Sequence, residues 1–264
     1  MIKKLIDSPA VTNVVFYPRK TQIPSKVDPN IKILKLILEK EILIGGFFYL
    51  NNPDYPTILL FHGNGEIASD YQYFLDFFFQ CDVNLAVVDF RGYGFSSGSP
   101  FYTSLITDAF PIYNEFHKWL VKNSYNDSIF VLGRSLGSVC ASEIGAHNPE
   151  SLHGIIFESG FASLSGMIIL LSRISGQEIN SLEKESLNEY SNDIRIRKFL
   201  KPVLVIHGTF DRIIPSNQGE LIYENLPNGI EKKLVLIKGA GHNDIFYYEE
   251  EYITPLKEFI NKFK

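Results

Sequence analysis

Ser128-Ile-Phe-Val-Leu-Gly-Arg-Ser-Leu-Gly-Ser-Val-Cys-Ala-Ser-Glu, residues 128–143, is the stretch on which the fold turns. An apolar β-type run meets a helix-type run at Gly133-Arg134-Ser135-Leu136-Gly137, a Gly-x-Ser-x-Gly placed between strand and helix. Such an abrupt turn forces its central residue into a strained conformation. It also packs so tightly that the positions two before and two after must lack side chains. Ser135 is then left at the apex, above a parallel sheet, with the N–H of Leu136 and the start of the next helix directed at any negative charge that develops beside it.

The pattern alone is cheap, since a second copy occurs at Gly94-Phe95-Ser96-Ser97-Gly98. Ser99-Pro100 follows it rather than a helix, so Ser96 reads as a loop residue. Context, not the motif, selects Ser135. A serine after a strand is usually a helix cap, but a cap needs neither flanking glycines nor a partner histidine.

At 264 residues, 45% hydrophobic and 14% aromatic, the chain can bury a large core and is expected to form one domain, 1–264, with an insertion. A net charge of −5, with both signs spread along the chain, offers no basic stripe and excludes nucleic acid as the expected partner. Two cysteines, Cys81 and Cys140, suit buried free thiols rather than a disulfide framework. The N-terminus lacks an apolar signal core, and no run of about 18 apolar residues occurs, so a cytoplasmic protein without stable membrane insertion is expected. Nothing in the sequence specifies an oligomeric state.

Along the chain, residues 1–30 read as irregular, held extended by Pro9, Pro18, Pro24 and Pro29. Ile31–Leu38 and Glu41–Leu50 predict a hairpin at a sheet edge. Strands and helices then alternate: strand Thr57–Phe61, helix Ser69–Gln80, strand Val83–Phe90, helix Leu105–Asn123, strand Ser128–Leu132, helix Ser138–Ala146, strand Gly154–Phe157. After a long excursion come strand Pro202–His207, helix Asn217–Asn225, strand Lys233–Ile237 and helix Glu249–Phe263. The pattern predicts an α/β fold, a mostly parallel doubly wound sheet with helices on both faces. The excursion at 160–200 is longer than an ordinary connection. It carries the apolar group Met167, Ile168, Ile169, Leu170 and Leu171 before a polar, acidic half, and is read as a small helical lid, with a core crossover helix as the competing reading.

Three constellations fall where open α/β sheets place their chemistry, at the C-terminal strand edge. Phe61-His62-Gly63-Asn64-Gly65 is a glycine turn that can offer the N–H of Asn64 across from that of Leu136, making a two-donor oxyanion hole. His207-Gly208-Thr209-Phe210-Asp211 puts an acid just past a strand, and Gly239-Ala240-Gly241-His242-Asn243-Asp244 puts a histidine in a loop after the last one. Serine, acid and histidine thus follow in the chain order of one hydrolase scaffold.

On these runs, together with Val-Asp-Phe-Arg-Gly-Tyr-Gly-Phe-Ser-Ser-Gly-Ser-Pro (88–100), the chain resembles the α/β-hydrolases, and within them the serine aminopeptidase and esterase-like branch, from about Ile42 onward. The resemblance implies an α/β-hydrolase fold, with Ser135 as nucleophile, His242 as general base, Asp211 as its orienting acid, and the backbone of Asn64 and Leu136 as oxyanion donors. A small-molecule acyl substrate is expected, and with no His-Glu-x-x-His, paired cysteines or phosphate loop in the sequence neither cofactor nor metal is. Members of the branch often carry an N-terminal membrane anchor, which this sequence does not show.

Each residue has a plainer reading. His62 and His207 suit structural roles at strand ends, and His117, His147 and His153 sit in or beside helix patterns. Tyr71, Phe74, Phe77 and Phe78 fall at helical spacing and read as core. Asp89 and Arg91 read as loop-shaping. Glu158, at the end of the strand after the elbow, competes with Asp211 as the acid, because some members of this fold place it there. Two rival functions also stand: Gly63-Asn-Gly65-Glu-Ile-Ala68 followed by Asp89 satisfies a dinucleotide fingerprint and would make an NAD-binding protein, and the fold could serve an inactive binding protein.

Overall fold

A computed structural model describes residues 6–164 and 190–264. Its centre is an eight-stranded sheet in the order β1-β2-β4-β3-β5-β6-β7-β8. The strands are β1 (Ile31–Leu38), β2 (Ile42–Tyr49), β3 (Thr57–Phe61), β4 (Asn84–Val88), β5 (Ile129–Arg134), β6 (Leu152–Glu158), β7 (Val203–Gly208) and β8 (Lys232–Ile237). β1 and β2 form the antiparallel hairpin expected at the edge, and β2 joins β4 antiparallel, whereas the six strands from β3 to β8 pair in parallel. This is the α/β-hydrolase fold.

The central strands are buried on both faces, and their alternation sorts the core into two layers. Leu59 and Phe61 of β3, Ile129 and Val131 of β5, and Val203 and Val205 of β7 face one layer, built with helices α3 (Tyr102–Lys122), α4 (Ser138–His147), α5 (Asn192–Ile196) and α6 (Asn217–Asn225). Ile58, Leu60, Phe130, Leu132, Leu204 and Ile206 face the other, against α2 (Leu75–Phe79) and α7 (Glu249–Phe263). Both cysteines are free and buried.

Two local expectations are corrected. The segment before residue 30 is not wholly irregular: Pro9–Val15 forms a helix, α1, because Pro9 stands at its first turn, where a missing N–H and a fixed φ assist a start. Val11 and Val15 of α1 join the first core layer. The segment Ser69–Gln80 is not one helix but a 3₁₀ stretch, Ala68–Phe74, running into the short α2. The expected lid at 160–200, with its apolar group at 167–171, lies mostly outside the described residues. Among the described residues no helix is long and apolar enough to cross a membrane.

Candidate active site

The tight turn after β5 has the expected strain. Ser135 sits at φ 51°, in the left-handed region that non-glycine residues rarely occupy. Its flanks admit no side chain: a Cβ on Gly137 would lie 2.0 Å from the Phe61 carbonyl oxygen, and one on Gly133 would lie 2.7 Å from both the Ala141 Cβ and the Gly137 carbonyl oxygen. The close approach brings β3 and its following turn beside Ser135.

Loops after β7 and β8 bring the other two residues to the same place. His242 Nδ1 lies 2.7 Å from Asp211 Oδ2, and His242 Nε2 lies 3.0 Å from Ser135 Oγ. A carboxylate can only accept, so Nδ1 carries the proton and Nε2 is left free to accept one from the serine hydroxyl. The second oxygen of Asp211, Oδ1, accepts the N–H groups of Ile213 and Ile214 at 2.9 and 2.7 Å. Burial alone would raise the Asp211 carboxyl pKa, but hydrogen bonds from His207, His242 and this backbone hold it well below the usual range, so the acid stays ionised beside the imidazole.

Asn64 and Leu136 line the cavity that opens at Ser135. Asn64 does more than sequence reasoning suggested. Its Oδ1 accepts the main-chain N–H of Tyr17 at 2.9 Å and the hydroxyl of Tyr93 at 2.7 Å. His62, as expected, is structural: Nδ1 faces the Gly63 carbonyl oxygen at 2.8 Å and Nε2 faces Asp89 Oδ1 at 3.3 Å. His207 is structural as well, with Nε2 bonded to the Ile214 carbonyl oxygen at 2.8 Å. Ser96 is buried, accepting the Gly45 N–H and donating to the Asp89 carbonyl oxygen, which leaves it no approach to substrate.

Glu158 is not the partner of His242. It is fully buried, ion-paired with Arg134 and bonded by the Tyr252 hydroxyl at 3.2 Å. Asp89 accepts the Ala68 N–H at 2.8 Å and is 1% exposed, so it cannot reach a ribose in the way a dinucleotide fingerprint requires. Burial pushes the Cys81 thiol up to about 12 and raises that of Cys140, so neither is a nucleophile. Among the described residues no group of three or more His, Cys, Asp or Glu could hold a metal ion.

The cavity, about 320 Å³, is bounded by Val15, Tyr17, Tyr102, Leu136, Phe161, Leu164, Ile213 and Ile214, with Glu66 and Asn243 beside Ser135 and His242. Sequence reasoning missed the walls from α1 and Tyr17, for which local pattern gives no signal. It also missed the roles of Glu66 and Arg134, although a lone arginine at an apolar strand end, with one acid in the turn after β3 and another at the end of β6, was legible as a charge cluster.

These features define an α/β-hydrolase. The chain matches the serine aminopeptidase S33 family over residues 53–198, more than half its length, and belongs to that family. It is 26% identical over 234 residues to the alpha/beta hydrolase domain-containing protein 17C of Xenopus laevis, covering 88% of this chain and 70% of that protein. It is also 26% identical over 211 residues to the human protein 17B, covering 78% and 66%. Among solved structures, the Pyrococcus furiosus esterase Pf2001 superposes with a TM-score of 0.71 at 20% identity, over 93% of this chain and 98% of the esterase. Acetyl xylan esterase 1 from Thermoanaerobacterium superposes with a TM-score of 0.64 at 16% identity, over 88% and 89%.

Proposed function

We propose that the chain is a serine hydrolase that cleaves carboxylic esters of neutral, short to medium acyl groups through an acyl-enzyme. The observation that carries this reading is the unbroken line from Asp211 Oδ2 through His242 to Ser135 Oγ, at 2.7 and 3.0 Å. In the first half-reaction Ser135 Oγ attacks the ester carbonyl carbon while its proton passes to His242 Nε2. The charge on the carbonyl oxygen is taken up by the N–H groups of Asn64 and Leu136. The C–O bond to the alcohol then breaks as His242 returns that proton to the leaving oxygen. In the second half-reaction water repeats the steps, and the acid is released with Ser135 restored. Asp211 keeps the imidazole in the tautomer that makes Nε2 the base.

Ester is favoured over peptide by the chemistry of the cavity. An aminopeptidase must pair the substrate's terminal ammonium with an available anion, and the one acid at this cavity among its described residues, Glu66, is already engaged by Arg134, Tyr71 and the Gly63 N–H. The remaining wall is largely apolar. The same line of three residues speaks against an inactive binding protein. The test is labelling with a fluorophosphonate followed by peptide mapping, run with a chain-length series of aryl esters and a set of aminoacyl anilides. Modification at Ser135 with ester turnover supports the reading, whereas turnover of the anilides alone would replace it with an exopeptidase, and no labelling at all would favour the binding protein.

A further inference from the structure

Arg134, the residue before the nucleophile, is 3% exposed, and its one planar guanidinium reaches the loop after β3, the end of β6 and the loop after β8. Nε donates to Glu66 Oε1 at 2.8 Å, Nη1 donates to Glu158 Oε1, and Nη2 donates to the main-chain oxygen of His242 at 3.1 Å and approaches Asn243 Oδ1 at 3.4 Å. The guanidinium carbon lies 5.4 Å from the centre of the Phe246 ring, which closes one face. Glu66 extends the connection, since its Oε2 accepts the N–H of Gly63, the residue before Asn64, at 2.9 Å and the Tyr71 hydroxyl at 2.7 Å.

We infer that Arg134 is a positioning residue whose guanidinium fixes the oxyanion turn, the nucleophile and the histidine loop relative to one another. This rests on the acyl-enzyme reading above. The three donors leave a rigid fork in one plane, so anchoring any two acceptors sets the place of the third. One of the three is the carbonyl of the histidine itself, and another leads in one step to the oxyanion turn. Stability alone does not require such a group, because apolar replacements of a buried ion pair are often neutral or stabilising. The charges agree with the geometry. Burial would raise the Glu66 carboxyl, but Arg134 and the Tyr71 hydroxyl bring it down to about 2, while burial raises Glu158 despite the same arginine. Lysine supplies the charge without the fork and cannot meet all three acceptors at once.

The experiment compares wild type with Arg134→Lys and with the double variant Arg134→Met/Glu158→Leu, which removes the two most buried charges together and leaves Glu66, whose side chain is 26% exposed, with the Gly63 N–H and the Tyr71 hydroxyl. Folded fraction is read by circular dichroism, and the labelling rate of Ser135 by a fluorophosphonate is measured alongside kcat and KM for an aryl ester. Misplacement of the reacting groups by about 1 Å lowers kcat and the labelling rate together, by roughly 10-fold to 100-fold per folded molecule, with KM changed less than about threefold. Folded variants that keep the wild-type kcat and labelling rate overturn the inference and leave the acyl-enzyme reading intact. If Arg134→Lys does not fold, the double variant decides. If neither folds, Arg134 serves folding alone and the positioning role is withdrawn. A wild type that is not labelled at Ser135 removes the acyl-enzyme reading and this inference with it.

Discussion

The main-chain N–H of Tyr17 donates to Oδ1 of Asn64 at 2.9 Å, tying a segment near the start of the chain to the turn whose N–H is the proposed oxyanion donor. The Tyr93 hydroxyl reaches the same oxygen, so the turn is held through the side chain of the residue whose main-chain N–H is the proposed donor. Asn64→Ala removes both bonds and lets the turn drift. It is expected to lower stability by about 1–2 kcal/mol and kcat by roughly tenfold. Thermal unfolding and steady-state kinetics check both, and a variant with wild-type values would show that the turn needs no such anchor.

Ser135→Ala removes the proposed nucleophile and leaves the core untouched. Folding should be preserved while kcat falls roughly 10⁴-fold to 10⁶-fold. Ser96, in the other copy of the motif, bonds only to the main chain of Gly45 and Asp89, away from the cavity, so Ser96→Ala should retain activity at a stability loss of about 1 kcal/mol. Retained turnover in Ser135→Ala would move the nucleophile elsewhere.

The two candidate acids separate in the same assay. Asp211→Asn keeps the shape but not the charge beside His242 and should lower kcat by several orders of magnitude. Glu158→Gln leaves the bond between Asp211 and His242 in place and should stay within about tenfold of wild type. The opposite ranking would transfer the acid to the end of β6.

Glu66 makes part of the stability pH-dependent. Its folded pKa, about 2, lies below the ordinary 4.5, with Arg134 as the stabilising charge. A depressed carboxyl contributes stability that is present above its unfolded pKa and lost as pH falls through its folded pKa. The Glu66 share should therefore fade between about pH 4.5 and 2, and amounts to no more than about 3 kcal/mol. Urea midpoints across that window should fall more steeply in wild type than in Glu66→Gln. Equal slopes would mean the ion pair forms in the unfolded chain too, or contributes nothing.

Under the proposed ester hydrolysis, the cavity wall sets the acyl group. Val15 and Leu164 face the space above Ser135, and enlarging either to Phe should shorten the longest acyl chain turned over while acetyl esters are still cleaved. A chain-length profile unchanged by both variants would place the acyl group elsewhere.

Sequence alone was enough for the parallel sheet and the place of Ser135, Asp211 and His242, because each signal was local: an apolar run followed by a glycine turn or a short polar loop. It was not enough where structure depends on distant pairing. Tyr17 meets Asn64 across 47 positions, and Arg134 meets Glu66 and Glu158 from opposite sides. No window of ten or twenty residues contains those relations. The helix at Pro9–Val15 was legible in principle, but four prolines within 30 residues argued for an extended chain, and tertiary burial of Val11 and Val15 outweighed them.

The left-handed backbone at Ser135 also carries a thermodynamic consequence. An L-residue held there is disfavoured by roughly 1–2 kcal/mol, a burden that glycine does not bear. Ser135→Gly should therefore unfold at a higher temperature than the active protein, and than Ser135→Ala, while being catalytically dead. In the wild-type chain, part of the fold's margin against unfolding is given up to hold one hydroxyl where it can react.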